Sequence, residues 1–295
     1  MSNSYFRGIP WERFKDFISP GAGRFAIVKG LLEETKLTYR VLEIAGNRHF
    51  LVAPPAPDVS NRRPPVILVA HYDRAEGSPG ANDNSAGVFL LLETAMKLKS
   101  GAVKNWFIIF TDREELKPGE SIQNQGAYTL AAALKEMGME KAKIFSFDVC
   151  GAGDTLLISS IADHLLKKDG NSVKLRDAFL ELRKIALDTA RNLGMKKVLL
   201  APTPFSDDLG FFRAGFAAQT ITMLPSQECI QLVSELRRNP NFADALISAE
   251  LRQDSNIKSI PETWRGLNGP SDSHLRLTPG NFKTVVRFAE ALCRG

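Results

Sequence analysis

Two spacings of apolar residues alternate along most of this chain. Residues 66–70, 106–110 and 144–147 are short runs made almost entirely of apolar residues, which is typical of buried strands. Longer segments between them repeat apolar residues every three or four positions, which indicates amphipathic helices. Such alternation favours a parallel sheet that is covered on both faces. The sequence therefore predicts an α/β fold, a three-layer αβα arrangement with a mostly parallel central sheet.

The pattern also sets the expected bounds of the elements. Predicted helices cover residues 10–18, 22–34, 87–98, 126–135, 173–193 and 281–292, and predicted strands cover residues 37–44, 48–52, 66–70, 106–110, 144–147, 155–159, 198–200 and 217–223. Residues 226–269 are polar and helical in pattern, without a clear strand. We interpret them as an insertion that packs over one edge of the sheet or covers a site. Since no change of composition divides the chain, we expect residues 1–295 to form one domain.

Residues of metal-binding types follow several predicted strands or lie in turns. The carboxyl ends of parallel strands lie at one edge of a sheet, so side chains that follow them can converge. Imidazole and carboxylate groups are also the ligands that zinc and similar divalent metals take. The residues concerned are His71 and Asp73, Asp83, Glu114 and Glu115, Asp148, and the late His274.

Each of these residues has an ordinary structural interpretation when it is taken alone. The adjacent pair Glu114 and Glu115 could be a solvated surface, and an Asp before a helix, such as Asp83, is most often an N-cap. Only the ordered combination favours a shared site. His49 and His164 have no such neighbours, and we expect them to be exposed or satisfied within the core.

Six segments of the chain resemble a known family. They are HYD at 71–73, PGANDNSAG at 79–87, REE at 113–115, FDVCG at 147–151, FSDDLGFF at 205–212, and His274. Together they resemble the co-catalytic di-zinc exopeptidases of the bacterial leucyl aminopeptidase and glutamate carboxypeptidase type, which form family twenty-eight of the metallopeptidases. The resemblance implies a zinc-exopeptidase-like fold and two zinc ions. It implies that Asp83 bridges the ions, that His71 and Asp148 complete one site, and that Glu115 and His274 complete the other.

The resemblance also implies roles for two residues that are not ligands. Asp73 would fix the tautomer of His71 through a hydrogen bond, and Glu114 would be the general base of a zinc-dependent aminopeptidase acting on peptides. Two departures from the family pattern concern the substrate pocket. Asp208 stands where the family often has His, and the loop after Glu115 is longer than usual.

Two other functions remain open at this point. One is a glutaminyl-cyclase-like acyltransferase with a single zinc ion, and the other is a non-catalytic, peptidase-like binding domain. Other chemistries are disfavoured by the sequence. There is no HExxH motif, and the glycines at 151 and 153 are followed by a predicted strand instead of the helix of a dinucleotide site.

Composition narrows the expected partners and location. The net charge of +5 comes without any long basic run, so we expect no nucleic-acid partner. The first residues contain no apolar signal segment, and no stretch is apolar enough to span a membrane. Three cysteines without CxxC spacing suggest free thiols. We therefore expect a cytoplasmic protein that binds peptides and neither membranes nor nucleic acids.

Overall fold

The computed structural model describes residues 5–56, 63–168, 173–239, 241–247 and 259–295. Eight strands form one mixed sheet in the order β1-β2-β4-β3-β5-β8-β6-β7. The strands are β1 Thr38–Ile44, β2 Asn47–Ala53, β3 Val66–His71, β4 Trp106–Thr111, β5 Lys143–Phe147, β6 Thr155–Ser159, β7 Val198–Ala201 and β8 Ala218–Leu224.

The centre of this sheet is parallel. Strands β4, β3, β5 and β8 are neighbours that run in the same direction, and their register pairs His71 with Thr111 at the carboxyl ends. Antiparallel pairing enters on both sides, where β1 and β2 form a hairpin and β6 runs against β8. Ala45 and Gly46 both have positive φ, the conformation of a tight two-residue hairpin turn. The predicted α/β class with a mostly parallel sheet is confirmed.

Helices cover both faces of the sheet because successive strand residues point to opposite sides. Leu68 and Ala70 face the larger core, which includes side chains of α1, α2, α3, α6 and α11, whereas Ile67 and Val69 face α4 and α7. The helices are α1 Trp11–Ile18, α2 Arg24–Glu34, α3 Ala86–Lys99, α4 Gly126–Glu136, α5 Ile161–Lys168, α6 Val173–Asn192, α7 Asp207–Arg213, α8 Ser226–Arg238, α9 Phe242–Ile247, α10 Glu262–Arg265 and α11 Phe282–Arg294.

In its described part, the expected insertion at 226–269 contains the helices α8, α9 and α10 and no strand. Helices α8, α9 and α10 share a smaller core with Leu157 and Leu224 of the sheet, in which Trp264 and Phe242 are fully buried. Residues 240 and 248–258 of this segment lie outside the described part of the chain. None of the helices in the described ranges combines the length and apolar character needed to cross a membrane.

Candidate metal centre

Three of the expected ligands lie together at the carboxyl edge of the parallel strands. His71 ends β3, Asp148 directly follows β5, and Asp83 lies in the irregular turn Ala81–Ser85 that leads into α3. The Nε2 atom of His71 is 3.1 Å from Asp83 Oδ1 and 3.5 Å from Asp148 Oδ1. All three side chains are buried, and their ligand atoms lie within 4.8 Å of one another. The sheet topology therefore brings an imidazole and two carboxylates to one point.

The chemistry of this group fits a divalent cation. Neither ring nitrogen of His71 makes a hydrogen bond of good geometry, although the ring is fully buried. Burial would lower the pKa of His71, but the surrounding carboxylates of Asp148, Asp73 and Asp83 raise it well above the ordinary value. The buried carboxylates would therefore stabilise a positive charge at this point. One imidazole and two carboxylates are a suitable ligand set for zinc.

Asp73 connects His71 to the loop that carries the adjacent glutamates. Its Oδ1 lies 3.4 Å from His71 Nδ1. The same carboxylate accepts the backbone N–H of Glu114 at 3.1 Å and that of Glu115 at 3.0 Å. Burial opposes ionisation of Asp73, but His71 and these two N–H groups hold its pKa below the ordinary value. Asp73 therefore lies beside the imidazole of His71 and fixes the backbone of the glutamate loop.

Glu114 lies beside a cavity of about 240 Å³ that opens next to the three-residue group. Desolvation raises the pKa of Glu114 well above its ordinary value. The buried Gln125 donates from Nε2 to Glu114 Oε1 at 3.2 Å. The cavity is also lined by Asp83, Glu115 and Asp148 and by apolar side chains from several elements, among them Leu116, Ile122, Phe205, Leu209, Trp264 and Leu267. The carboxyl group of Glu114 thus shares one cavity with Asp83 and Asp148.

Glu115 and His274, the other two expected ligands, have different surroundings from the close group around His71. Asn268, turned so that its NH2 group faces the carboxylates, donates to Glu115 Oε1 at 3.0 Å and to Asp83 Oδ2 at 2.9 Å. His274 is half-buried and its ring centroid lies 6.4 Å from that of Trp11. Among the described residues, neither Glu115 nor His274 joins the close group formed around His71. Asn268 therefore lies beside Glu115, and the role of His274 as a ligand stays a prediction.

Two further residues fix the turn around Asp83, and the sequence reasoning missed both. The carboxylate of Asp272 accepts the backbone N–H of Asn82 at 2.8 Å and that of Asp83 at 3.0 Å. Burial raises the pKa of Asp272 to about 7. From α2, the buried Arg24 donates to the carbonyls of Asp73 at 2.8 Å and Pro79 at 2.9 Å. No local pattern marks Arg24, whereas Asp272 lies two residues before His274, which the sequence analysis names.

The FSDDLGFF segment forms the start of α7 beneath the site. Asp207 Oδ2 accepts the hydroxyl of Thr111 at 2.8 Å, and Asp208 Oδ1 accepts the backbone N–H of Ser206 at 2.9 Å. Burial raises the pKa of both carboxyl groups to about 7. Asp208, the departure from the family pattern, is therefore buried in the protein's own hydrogen-bond network.

A parallel sheet with imidazole and carboxylate groups gathered at its carboxyl edge defines a metal-binding α/β protein. The sequence extends this assignment, because the model of Peptidase family M28 matches residues 55–244. This match covers more than half of the chain and includes His71, Asp83, Glu115 and Asp148. The chain belongs to peptidase family M28, as the motifs predicted.

Solved structures show where the fold recurs. The zinc aminopeptidase BSAP from Bacillus subtilis is 19% identical, with a TM-score of 0.54 over 83% of this chain and 49% of that one. The LapA aminopeptidase from Legionella pneumophila is 14% identical, with a TM-score of 0.60 over 96% and 69%. Porphyromonas gingivalis glutaminyl cyclase is 15% identical, with a TM-score of 0.63 over 100% and 98%. This chain thus spans about half the length of the aminopeptidase BSAP, and no curated protein matches it.

Proposed function

We propose that this protein is a zinc-dependent exopeptidase, an aminopeptidase that hydrolyses N-terminal residues from peptides. The observation that carries the proposal is the buried group of His71, Asp83 and Asp148 beside the carboxylate of Glu114 in one cavity. Membership of a peptidase family and the fold shared with zinc aminopeptidases support it. The proposed ligands are His71, Asp83 and Asp148, with Asp73 as the residue that orients His71.

A bound zinc ion would supply two things at this point, a lowered pKa for a water molecule and polarisation of the scissile carbonyl. The protein's own residues would handle the proton. Glu114 has a raised pKa and faces the cavity, so its carboxylate can accept a proton from the attacking water and deliver it to the leaving amine. Gln125 holds this carboxylate in place through its Nε2–H group. Desolvation of Glu114 thus suits it to both steps.

The cavity favours an uncharged side chain on the residue that is released. Apart from the four acidic groups Asp83, Glu114, Glu115 and Asp148, the lining residues that the structure describes are uncharged. Thr203, Thr220 and Thr222 add hydroxyl groups, Gln125 and Asn268 add amides, and the remaining lining residues are apolar. We therefore propose small or medium apolar residues at the substrate N-terminus. An acidic residue would be repelled by the four carboxylates.

A glutaminyl-cyclase-like activity is the second candidate. The observation that favours it is the match with Porphyromonas gingivalis glutaminyl cyclase over nearly the full length of both chains. In that reaction the α-amine of an N-terminal glutamine would attack its own side-chain amide and release ammonia. The candidate base, Glu114, would take its proton from the amine instead of from water.

The experiment is a substrate screen with metal control. The chain is freed of metal with a chelator, reloaded with zinc, and offered aminoacyl anilides and a peptide with N-terminal glutamine. Zinc-dependent release of the anilide that Asp148→Ala abolishes is expected. Release of ammonia from the glutamine peptide alone would establish the cyclase instead. Zinc binding without either reaction would identify a binding domain, and hydrolysis that survives chelation would refute the metal-dependent mechanism.

Two finer points, the number of zinc ions and the location of the protein, need tests of their own. The family resemblance implies a second zinc ion held by Asp83, Glu115 and His274, and metal analysis per chain would count the ions. A cytoplasmic location is supported by the three cysteines, all of which are buried and unpaired. Fractionation of cells that produce the protein would test the location.

A further inference from the structure

We propose that Asn268 takes the place of a second metal ion, so that this protein holds one zinc ion tightly where its family is expected to hold two. The inference rests on the proposed metal site of His71, Asp83 and Asp148. It concerns the opposite side of Asp83, where Asn268 lies against Glu115.

The two carboxylate oxygens of Asp83 face different partners. Oδ1 faces His71 Nε2 at 3.1 Å, on the side of the first zinc site. Oδ2 accepts a hydrogen bond from the Asn268 amide at 2.9 Å. A bridging carboxylate would offer this second oxygen to the second metal. Here an N–H group already meets it.

Glu115 is engaged in the same way. Its Oε1 accepts a second hydrogen bond from the Asn268 NH2 group at 3.0 Å. One amide nitrogen therefore lies between the two carboxylates that a second metal would join. The reverse orientation of the amide would set its oxygen against both acceptor oxygens and its NH2 group against donors alone. In the orientation that gives both polar atoms of this amide a partner, Asn268 donates to both carboxylates.

The backbone places Asn268 there and allows informative substitutions. Asn268 has a φ of 59°, in the left-handed region where Asn, Asp and His are the most common residues after glycine. Four residues later, Asp272 binds the backbone N–H groups of Asn82 and Asp83 and so holds this loop against the turn that carries Asp83. Position 268 is therefore fixed relative to Asp83 and Glu115, and His fits its backbone conformation. An amide is also a poor zinc ligand compared with imidazole or carboxylate.

The test counts bound metal and does not require an active enzyme. Metal-free protein is equilibrated separately with zinc and with manganese, dialysed, and analysed for metal per chain, and calorimetry gives the number of tight sites. Wild type is expected to hold about one zinc ion, and Asn268→His about two, because imidazole supplies the missing ligand. His274→Ala is the matched control and should keep the wild-type count.

The outcomes separate this inference from the proposed function. Two tight ions of either metal in the wild type would overturn the inference while leaving the metal-dependent mechanism intact, as would a loss of metal in His274→Ala. Asn268→Asp guards against a histidine that fails to fit, because it places a carboxylate in the same space. If neither Asn268→His nor Asn268→Asp gains an ion, the inference is wrong. Absence of any metal from the wild type would instead refute the proposed function.

Discussion

At the scale of single residues, Glu114 and Glu115 have adjacent positions and different surroundings. Glu114 faces the cavity and is held by Gln125, whereas Glu115 is bound by Asn268. We expect Glu114→Gln to keep its metal, because Glu114 is not a proposed ligand, and to lose about 10²–10⁴-fold in kcat through the loss of a general base. Steady-state peptidase kinetics and metal analysis of the same samples measure the two effects.

Asp148→Ala is the matched comparison for that experiment. It removes a proposed ligand, so activity and metal content should fall together. Glu114→Gln with wild-type activity would exclude Glu114 as the base. A Glu114→Gln protein that has lost its metal would show that Glu114 is a ligand, and the roles of the adjacent pair would then need to be exchanged.

His49 is a second residue whose surroundings determine a measurable property. It is fully buried, accepts the backbone N–H of Asp112 through Nδ1, and burial lowers its pKa to about 4. The unfolded chain protonates this ring below about pH 6.5, and the folded protein does not until about pH 4. Stability from His49 is therefore complete above pH 6.5 and is lost as the pH falls toward 4, by on the order of 3 kcal/mol.

Urea unfolding of metal-free protein between pH 7.5 and pH 4 tests this expectation. His49→Gln cannot gain a proton in this range, so its stability should fall less steeply with pH than that of wild type. His164→Gln is the control, because it replaces a half-buried histidine instead of a fully buried one. The Nε2 atom of His164 lies 2.9 Å from Asp244. Parallel pH profiles for wild type and His49→Gln would contradict a buried neutral imidazole.

Sequence reasoning finds residues at this scale only where local structure fixes their direction. His71 ends one largely apolar strand and Asp148 follows another, so the parallel sheet alone predicts that they lie at the same edge. Asn268 and His274 lie in a turn-rich stretch without a strand, and nothing in the sequence says which of them approaches Asp83. Arg24 lies on an ordinary amphipathic helix, and its contacts with residues far along the chain exist only in the folded protein.

At the scale of elements, α2 holds the turn that carries the site. The Arg24 guanidinium donates to the carbonyls of Tyr72, Asp73 and Pro79 and to the hydroxyl of Ser85, and it lies over the ring of Phe17. Burial lowers its pKa to about 9. These bonds join α2 to both ends of the segment between β3 and α3. The position of Asp83 therefore depends on a helix that contains none of the candidate ligands.

Replacing Arg24 by Met should lower the free energy of unfolding by about 3–5 kcal/mol, because several buried carbonyls lose their donor. Zinc affinity should fall as well, since the turn around Asp83 loses its support. Denaturant unfolding and zinc titration measure the two changes. Arg13→Met is the matched control, because Arg13 pairs with Glu34 at an exposed site, and it should cost less than about 1 kcal/mol. Equal effects of the two substitutions would refute the role of Arg24.

Elements were predictable in proportion to their length and regularity. The bounds of α3, β4 and β6 fall within a residue or two of those expected from apolar spacing. The short helices α5 and α7 are absent from the prediction, whereas α1, which like α5 has 8 residues, is in it. The sequence also does not predict that β6 is antiparallel to β8, because a buried strand has the same apolar pattern in either direction.

At the scale of the whole molecule, the single domain expected for residues 1–295 remains a prediction. The question is whether the insertion at 226–269 unfolds together with the sheet. The helices α8, α9 and α10 have a small core of their own, but that core includes Leu157 of β6 and Leu224 of β8. Because these strands belong to the same eight-stranded sheet as β3 and β5, the insertion shares its buried surface with the element that carries the site. We expect it to unfold together with the sheet.

Two fully buried tryptophans make this expectation testable. Trp106 begins β4 in the sheet, and Trp264 lies in α10 of the insertion. Variants that keep only one of them, with Phe at the other position and at Trp11, report each region by fluorescence during urea unfolding of metal-free protein. In a single cooperative unit, the fluorescence of the remaining tryptophan and the helicity measured by circular dichroism share one midpoint in each variant. An earlier transition at Trp264 than in the helicity of the same variant would show that the insertion unfolds first, so that residues 1–295 contain two cooperative units.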